Sequence, residues 1–90
     1  MSIKINIHPN LEHLTNGLDV AEVNGSTVGQ CLDHLIKQFP GIKEELLDKN
    51  GKLLNYVDIW VNLESSFPEE LAKPVKDGDE LSITFIIGGG

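Results

Sequence analysis

Asp79-Glu80-Leu81-Ser82-Ile83-Thr84-Phe85-Ile86-Ile87-Gly88-Gly89-Gly90 is the stretch on which the fold turns. Leu81, Ile83, Phe85 and Ile87 fall on one side of an extended chain and Glu80, Ser82, Thr84 and Ile86 on the other, the period of a half-buried strand. That strand passes without a loop into three glycines, residues with no Cβ that lose more backbone freedom on ordering than any other. Gly88, Gly89 and Gly90 are therefore expected to form a thin arm outside the core, with a domain over residues 1–87 as its holder. Three extended residues reach roughly 10 Å, enough to carry a carboxylate on Gly90 into the cleft of a partner. A frayed end is more usually polar; here Phe85, Ile86 and Ile87 stand directly before the glycines, so the arm reads as functional and these three as candidate docking residues.

Working back from the arm, Lys76-Asp77-Gly78-Asp79 reads as a tight turn. Tyr56 to Leu63 alternates, with Val57, Ile59, Val61 and Leu63 expected inward and Tyr56, Asp58, Trp60 and Asn62 outward, in a strand expected near the centre of a sheet. Trp60 is thereby a candidate interface aromatic on the outer surface. Between these strands, residues 64–76 have no clean period and contain Pro68 and Pro74; they are expected to be loop, anchored by Phe67, Leu71 and Val75. The clearest periodicity lies earlier, where Val28, Cys31, Leu32, Leu35, Ile36 and Phe39 share one helix face. Ser26 or Thr27 can cap this helix, and Pro40-Gly41 ends it. Ile42 to Leu47 is expected as a short second helix, with Ile42, Leu46 and Leu47 inward. Ser2 to Ile7 is a strand with Ile3, Ile5 and Ile7 on one face. A polar loop then leads to a weaker strand marked by Leu18, Val20 and Val23, and the two strands pair as a hairpin. The order predicts an α+β mixed sheet with one helix packed across it and the first and last strands side by side in its middle.

Composition narrows the function. Ninety residues allow one small core and no separate catalytic domain. Fourteen acidic residues against seven basic give a net charge of −7, which argues against nucleic acid and anionic membrane and favours a basic protein surface. A single cysteine excludes an internal disulfide. No apolar run reaches the roughly 20 residues of a membrane span, and no signal segment is seen, so a cytoplasmic location is expected.

Four fragments carry a family likeness: Val-Asn-Gly-Ser-Thr-Val-Gly-Gln (23 to 30) opening the helix, Phe-Pro-Gly-Ile (39 to 42) closing it, Ile-Trp-Val-Asn (59 to 62), and Asp-Gly-Asp-Glu-Leu (77 to 81) before the last strand. With the glycine pair at the end, the chain resembles the ubiquitin-like β-grasp sulfur carriers of the MoaD/ThiS type, the group of the molybdopterin-synthase small subunit and the thiamine-pathway carrier. Gly88 departs from the alanine common there. The resemblance implies that the domain binds no cofactor and catalyses nothing itself. Its Gly90 carboxylate would be adenylated by a ubiquitin-activating-enzyme-like adenylyltransferase that uses ATP. A persulfide donor would then convert it to a thiocarboxylate, and a sulfur-accepting synthase would consume that sulfur in molybdopterin, thiamine or cysteine biosynthesis. Gly88 and Gly89 would line the partner's entry passage through backbone alone. The alternatives are a protein modifier joined through Gly90 to lysines, and a β-grasp interaction domain.

Other reactive residues lack the pattern of a site. Cys31 lies on the apolar helix face, where a thiol behaves as a small hydrophobe. His8, His13 and His34 have no metal-ligand spacing. Neither a Ser-His-Asp set nor a phosphate loop can be assembled, because the terminal glycines precede no helix. The acidic group Glu64, Glu69, Glu70, Asp77, Asp79 and Glu80 is expected to be solvated or to steer a basic partner.

Overall fold

The computed structural model describes residues 2–86. β1 (Ser2–Asn6) turns Ile3 and Ile5 into the core, and Ile7 follows just past its end. It pairs antiparallel with β2 (Val20–Asn24), Ile3 opposite Val23 and Ile5 opposite Ala21. The buried residues of β2 are thus Ala21 and Val23, and Val20 is exposed. The connection expected as a polar loop instead holds a 3-10 helix (Pro9–Leu14) that buries Leu11. Thr15, also buried, shares its hydroxyl hydrogen between the carbonyls of Glu12 (3.2 Å) and Leu18 (2.9 Å).

α1 (Val28–Gln38) is capped by Thr27, whose Oγ1 accepts the amide hydrogen of Gln30 at 3.1 Å. Gln30 reaches back to take the Ser26 amide at 2.8 Å, so one glutamine ties the turn to the helix. Val28, Cys31, Leu32 and Leu35 are fully covered, with Ile36 and Phe39 packed at the margin. At about 1.5–3 kcal/mol for each large apolar side chain removed from water, this face is the main ballast of the core. Gly29 permits a close approach: a Cβ there would lie 3.1 Å from the carbonyl oxygen of Leu71. After Pro40 the chain makes a short 3-10 turn (Pro40–Ile42) and α2 (Lys43–Leu46), which bury Ile42 and Leu46 and leave Leu47 partly covered.

β3 (Val57–Val61), β4 (Glu64–Ser65) and β5 (Glu80–Phe85) complete a sheet of order β2-β1-β5-β3-β4. β1 and β5 run parallel in its middle, as their alternation predicts, and the other pairs are antiparallel. β3, expected to be central, is next to last, with only the two-residue β4 beyond it. Two side chains expected inward are outside. Leu63 is 88 % exposed because Asn62, at φ +57°, turns the chain back into β4 and ends the alternation. Phe67 is 72 % exposed in the turn after β4. The segment from 64 to 76 is also less irregular than expected, since it holds β4 and a 3-10 turn (Glu70–Ala72). Val75 does anchor it, and Leu71 packs at the core margin.

The outer edge of β2 is occupied from the helix. His34 Nδ1 accepts the Asn24 amide hydrogen at 2.8 Å, and Gln38 Nε2 donates to the Glu22 carbonyl at 3.1 Å. No helix among the described residues is long and apolar enough to cross a membrane.

Candidate functional site at the end of the last strand

β5 is the strand that precedes the glycines in the sequence, and its end is pinned by three contacts. Phe85 lies opposite Val57 and continues the inward row of Leu81 and Ile83, half-buried where the core runs out. The His8 ring meets it edge-on, with centroids 4.7 Å apart and planes at 71°, and Tyr56 lies at 6.3 Å on a 33° tilt. The Ile86 amide then donates to the Tyr56 carbonyl at 2.8 Å. Ile86 itself is 54 % exposed. His8 is held in turn, because its Nδ1 accepts the Asn10 amide hydrogen at 3.1 Å and caps the first 3-10 helix. The parallel pairing of β1 with β5 is what brings His8 here, and neither His8 nor Tyr56 is marked by any sequence motif. The signal was indirect: His8 continues β1 and Tyr56 opens β3, so both lie where those strands pass the end of β5.

Trp60 projects from the sheet face away from the helix, 38 % exposed, opposite Ser82 and Ser65. It therefore does not join Phe85, which belongs to the other face. Four residues along β5 separate the Ser82 position from Ile86, about 13 Å. Ile87, Gly88, Gly89 and Gly90, on which the expected chemistry falls, lie outside the described residues.

Beside Ile86 a groove of about 500 Å³ opens between Leu54, Val57 and Phe67, with the carboxylates of Asp58 and Glu70 on its lining and no basic side chain there. Asp58 accepts the Ser65 hydroxyl at 2.6 Å, which fixes one of these charges. A larger hollow of about 580 Å³, next to Leu63 and Lys76, is at the start of β5, at the opposite end of the strand from Ile86. Of the acidic group, Asp77 takes the Ser2 amide at 2.7 Å, Asp79 takes the Lys76 amide at 2.9 Å, and Glu69 faces Lys73 at 3.6 Å. The first two shape the turn before β5. Cys31 is buried, and that burial pushes its thiol above the ordinary range. Among the described residues no group of three or more His, Cys, Asp or Glu could hold a metal ion. What the arrangement does is hold the end of β5, at Phe85 and Ile86, in a fixed place.

The ThiS family model matches residues 10–90. The sulfur carrier protein CysO of Mycobacterium tuberculosis is 33 % identical over 93 aligned residues, covering 100 % of both chains. A chain in the crystal structure of the Amycolatopsis orientalis BexX/CysO complex superposes with a TM-score of 0.88 at 32 % identity, covering 98 % of this chain and 99 % of that one. SAMP1 from Haloferax volcanii, at 24 % identity, full coverage of both chains and a TM-score of 0.85, shares the fold. With a family match over nearly its whole length and the five-stranded mixed sheet beneath one main helix, the chain belongs to the ThiS family of ubiquitin-like β-grasp proteins.

Proposed function

We propose that this protein is a sulfur carrier whose working group is the carboxylate of Gly90. The observation that carries the reading is that β5, a middle strand of the sheet, ends at Phe85, with only Ile86 between it and the sequence Ile87-Gly88-Gly89-Gly90. Full-length similarity to CysO supports it and favours cysteine biosynthesis over the molybdopterin and thiamine pathways. A carboxylate is a poor electrophile, so activation comes first. One Gly90 carboxylate oxygen attacks the α-phosphorus of ATP on an adenylyltransferase resembling ubiquitin-activating enzymes, and pyrophosphate leaves. The terminal sulfur of a persulfide donor attacks the acyl carbon, and AMP departs with the bonding electron pair. A thiol then cleaves the sulfur–sulfur bond, leaving the thiocarboxylate on Gly90 and a disulfide on the donor. The sulfur-accepting synthase draws in this nucleophile. The domain holds no cofactor and performs none of these steps. ATP and free thiols place the cycle in the cytoplasm.

Gly88 and Gly89 pass through the partner as bare backbone, so Gly89→Val blocks adenylation while leaving the melting curve unchanged. Charging of Gly89→Val with AMP at the wild-type rate refutes the passage argument. Intact mass of protein recovered from cells tests the carrier role: a species heavier by the difference between sulfur and oxygen supports it, and high-mass lysine conjugates point instead to a protein modifier.

A further inference from the structure

Three departures from local rules meet in the segment 66–70. Phe67 leaves a phenyl ring 72 % exposed, although an aromatic ring is the largest apolar gain a core can take. Glu70 holds φ +51°, a left-handed conformation uncommon for a residue with a long side chain. Ser66 is fully buried, and its hydroxyl has no hydrogen-bond partner among the described residues. None of these helps the domain to fold, and such departures concentrate at surfaces kept for another purpose. The segment contributes Phe67 and Glu70 to the groove that Ile86 also lines.

We propose that this groove is a second docking point for the adenylating partner, seating against Phe67 an apolar side chain flanked by lysine or arginine. The inference rests on the activation reading above and names a contact for it. Two observations choose the occupant. The charged side chains on the groove's lining, Asp58 and Glu70, are both acidic, and the chain carries −7 overall, so the complementary surface is basic. Four residues separate Ile86 from the end of Gly90, a reach of about 14 Å when extended. An enzyme that brings this carboxylate to the α-phosphate of ATP surrounds the triphosphate with cationic side chains, so positive surface lies within the arm's length of the groove. An exposed ring beside carboxylates supplies the apolar centre and polar rim of a protein contact. Trp60 is not part of it: it shares a sheet face with Asp58 but lies two residues further along β3 and does not line the groove.

Isothermal titration calorimetry of the adenylating enzyme from the same cells against the full chain reads the contact directly, with pyrophosphate exchange alongside. Because Phe67 is exposed, Phe67→Ala keeps the melting temperature. It is expected to weaken Kd about tenfold, the loss of one anchor. KM for the carrier rises in step, kcat at saturation is unchanged, and Phe67→Leu recovers most of the affinity. Glu70→Gln flattens the dependence of Kd on ionic strength between about 50 and 300 mM. A Kd for Phe67→Ala within about twofold of wild type overturns the groove proposal, as does a loss seen only toward the sulfur-accepting synthase, or no binding of the adenylating enzyme at all. Deleting Gly90 separates the two readings, because it should abolish exchange and leave the groove's share of binding. A wild-type chain that binds but is never adenylated overturns the activation reading, and the groove is then judged on Kd alone.

Discussion

Phe85→Ala tests whether the root of the arm is held as the structure implies. Truncating a fully buried phenylalanine costs about 3–5 kcal/mol, and a half-buried ring keeps about half of that, roughly 2 kcal/mol. For a domain of this size each kcal/mol moves the midpoint by about 4–8 °C, so the melting temperature should fall by about 8–16 °C. The edge-on contact with His8 adds a coupling that can be isolated. His8→Ala alone also removes the acceptor for the Asn10 amide, but that loss is common to both sides of a double-mutant cycle and cancels. The remaining pair term between His8 and Phe85 should be about 0.5–1.5 kcal/mol. Urea titrations followed through Trp60, the single tryptophan, give all four corners of the cycle. A midpoint change under about 2 °C for Phe85→Ala, or a coupling under about 0.3 kcal/mol, would show that the ring does not anchor the strand end. Well below the melting temperature, the loosened root should still lower kcat/KM for adenylation.

Other substitutions follow from single contacts. Thr27→Ala removes the acceptor for the Gln30 amide and should cost about 1 kcal/mol in urea titration, while Thr27→Asn keeps most of it. Ser66→Ala deletes a buried hydroxyl with no partner among the described residues and should leave stability unchanged or raise it by up to about 1 kcal/mol; a comparable loss would mean that the hydroxyl is bonded. Cys31 should alkylate slowly in the native protein and rapidly in urea, because burial disfavours the thiolate. Its thiol is raised on folding, so its contribution is complete below the unfolded value of about 8.5 and fades as pH rises through the higher folded value. Titrations of Cys31→Ala beside wild type at neutral and alkaline pH should lack that component.

Much of the sheet is legible from alternation alone. Ile3 and Ile5, the row Val57-Ile59-Val61, and Leu81 and Ile83 are buried as period two requires, and α1 follows its 3.6-residue spacing from Val28 to Leu35. The failures are where the backbone leaves these periods. Leu63 continues the pattern of β3 on paper, but Asn62 in the left-handed region sends it to solvent. Leu11 stands between Asn10 and Glu12 with no strand alternation around it, and the 3-10 turn that starts at Pro9 brings it inward. Phe67 reads as an anchor because it is large and apolar; the turn around it gives no period from which to tell which side it faces. At the site, Ile86 and Trp60 could be placed outside from sequence. Contacts of His8 and Tyr56 with Phe85 could not, since they depend on which strands become neighbours.

The two bonds from α1 to the rim of β2 bear on how the protein behaves in bulk. A strand with free amide and carbonyl groups along one side invites a second chain to add itself, and the process can repeat without limit. Here His34 and Gln38 already engage one amide and one carbonyl on that side. At the opposite rim β4 offers only two residues. Both rims of the sheet are thus poor templates for an added strand, and ribbons of self-paired copies are disfavoured.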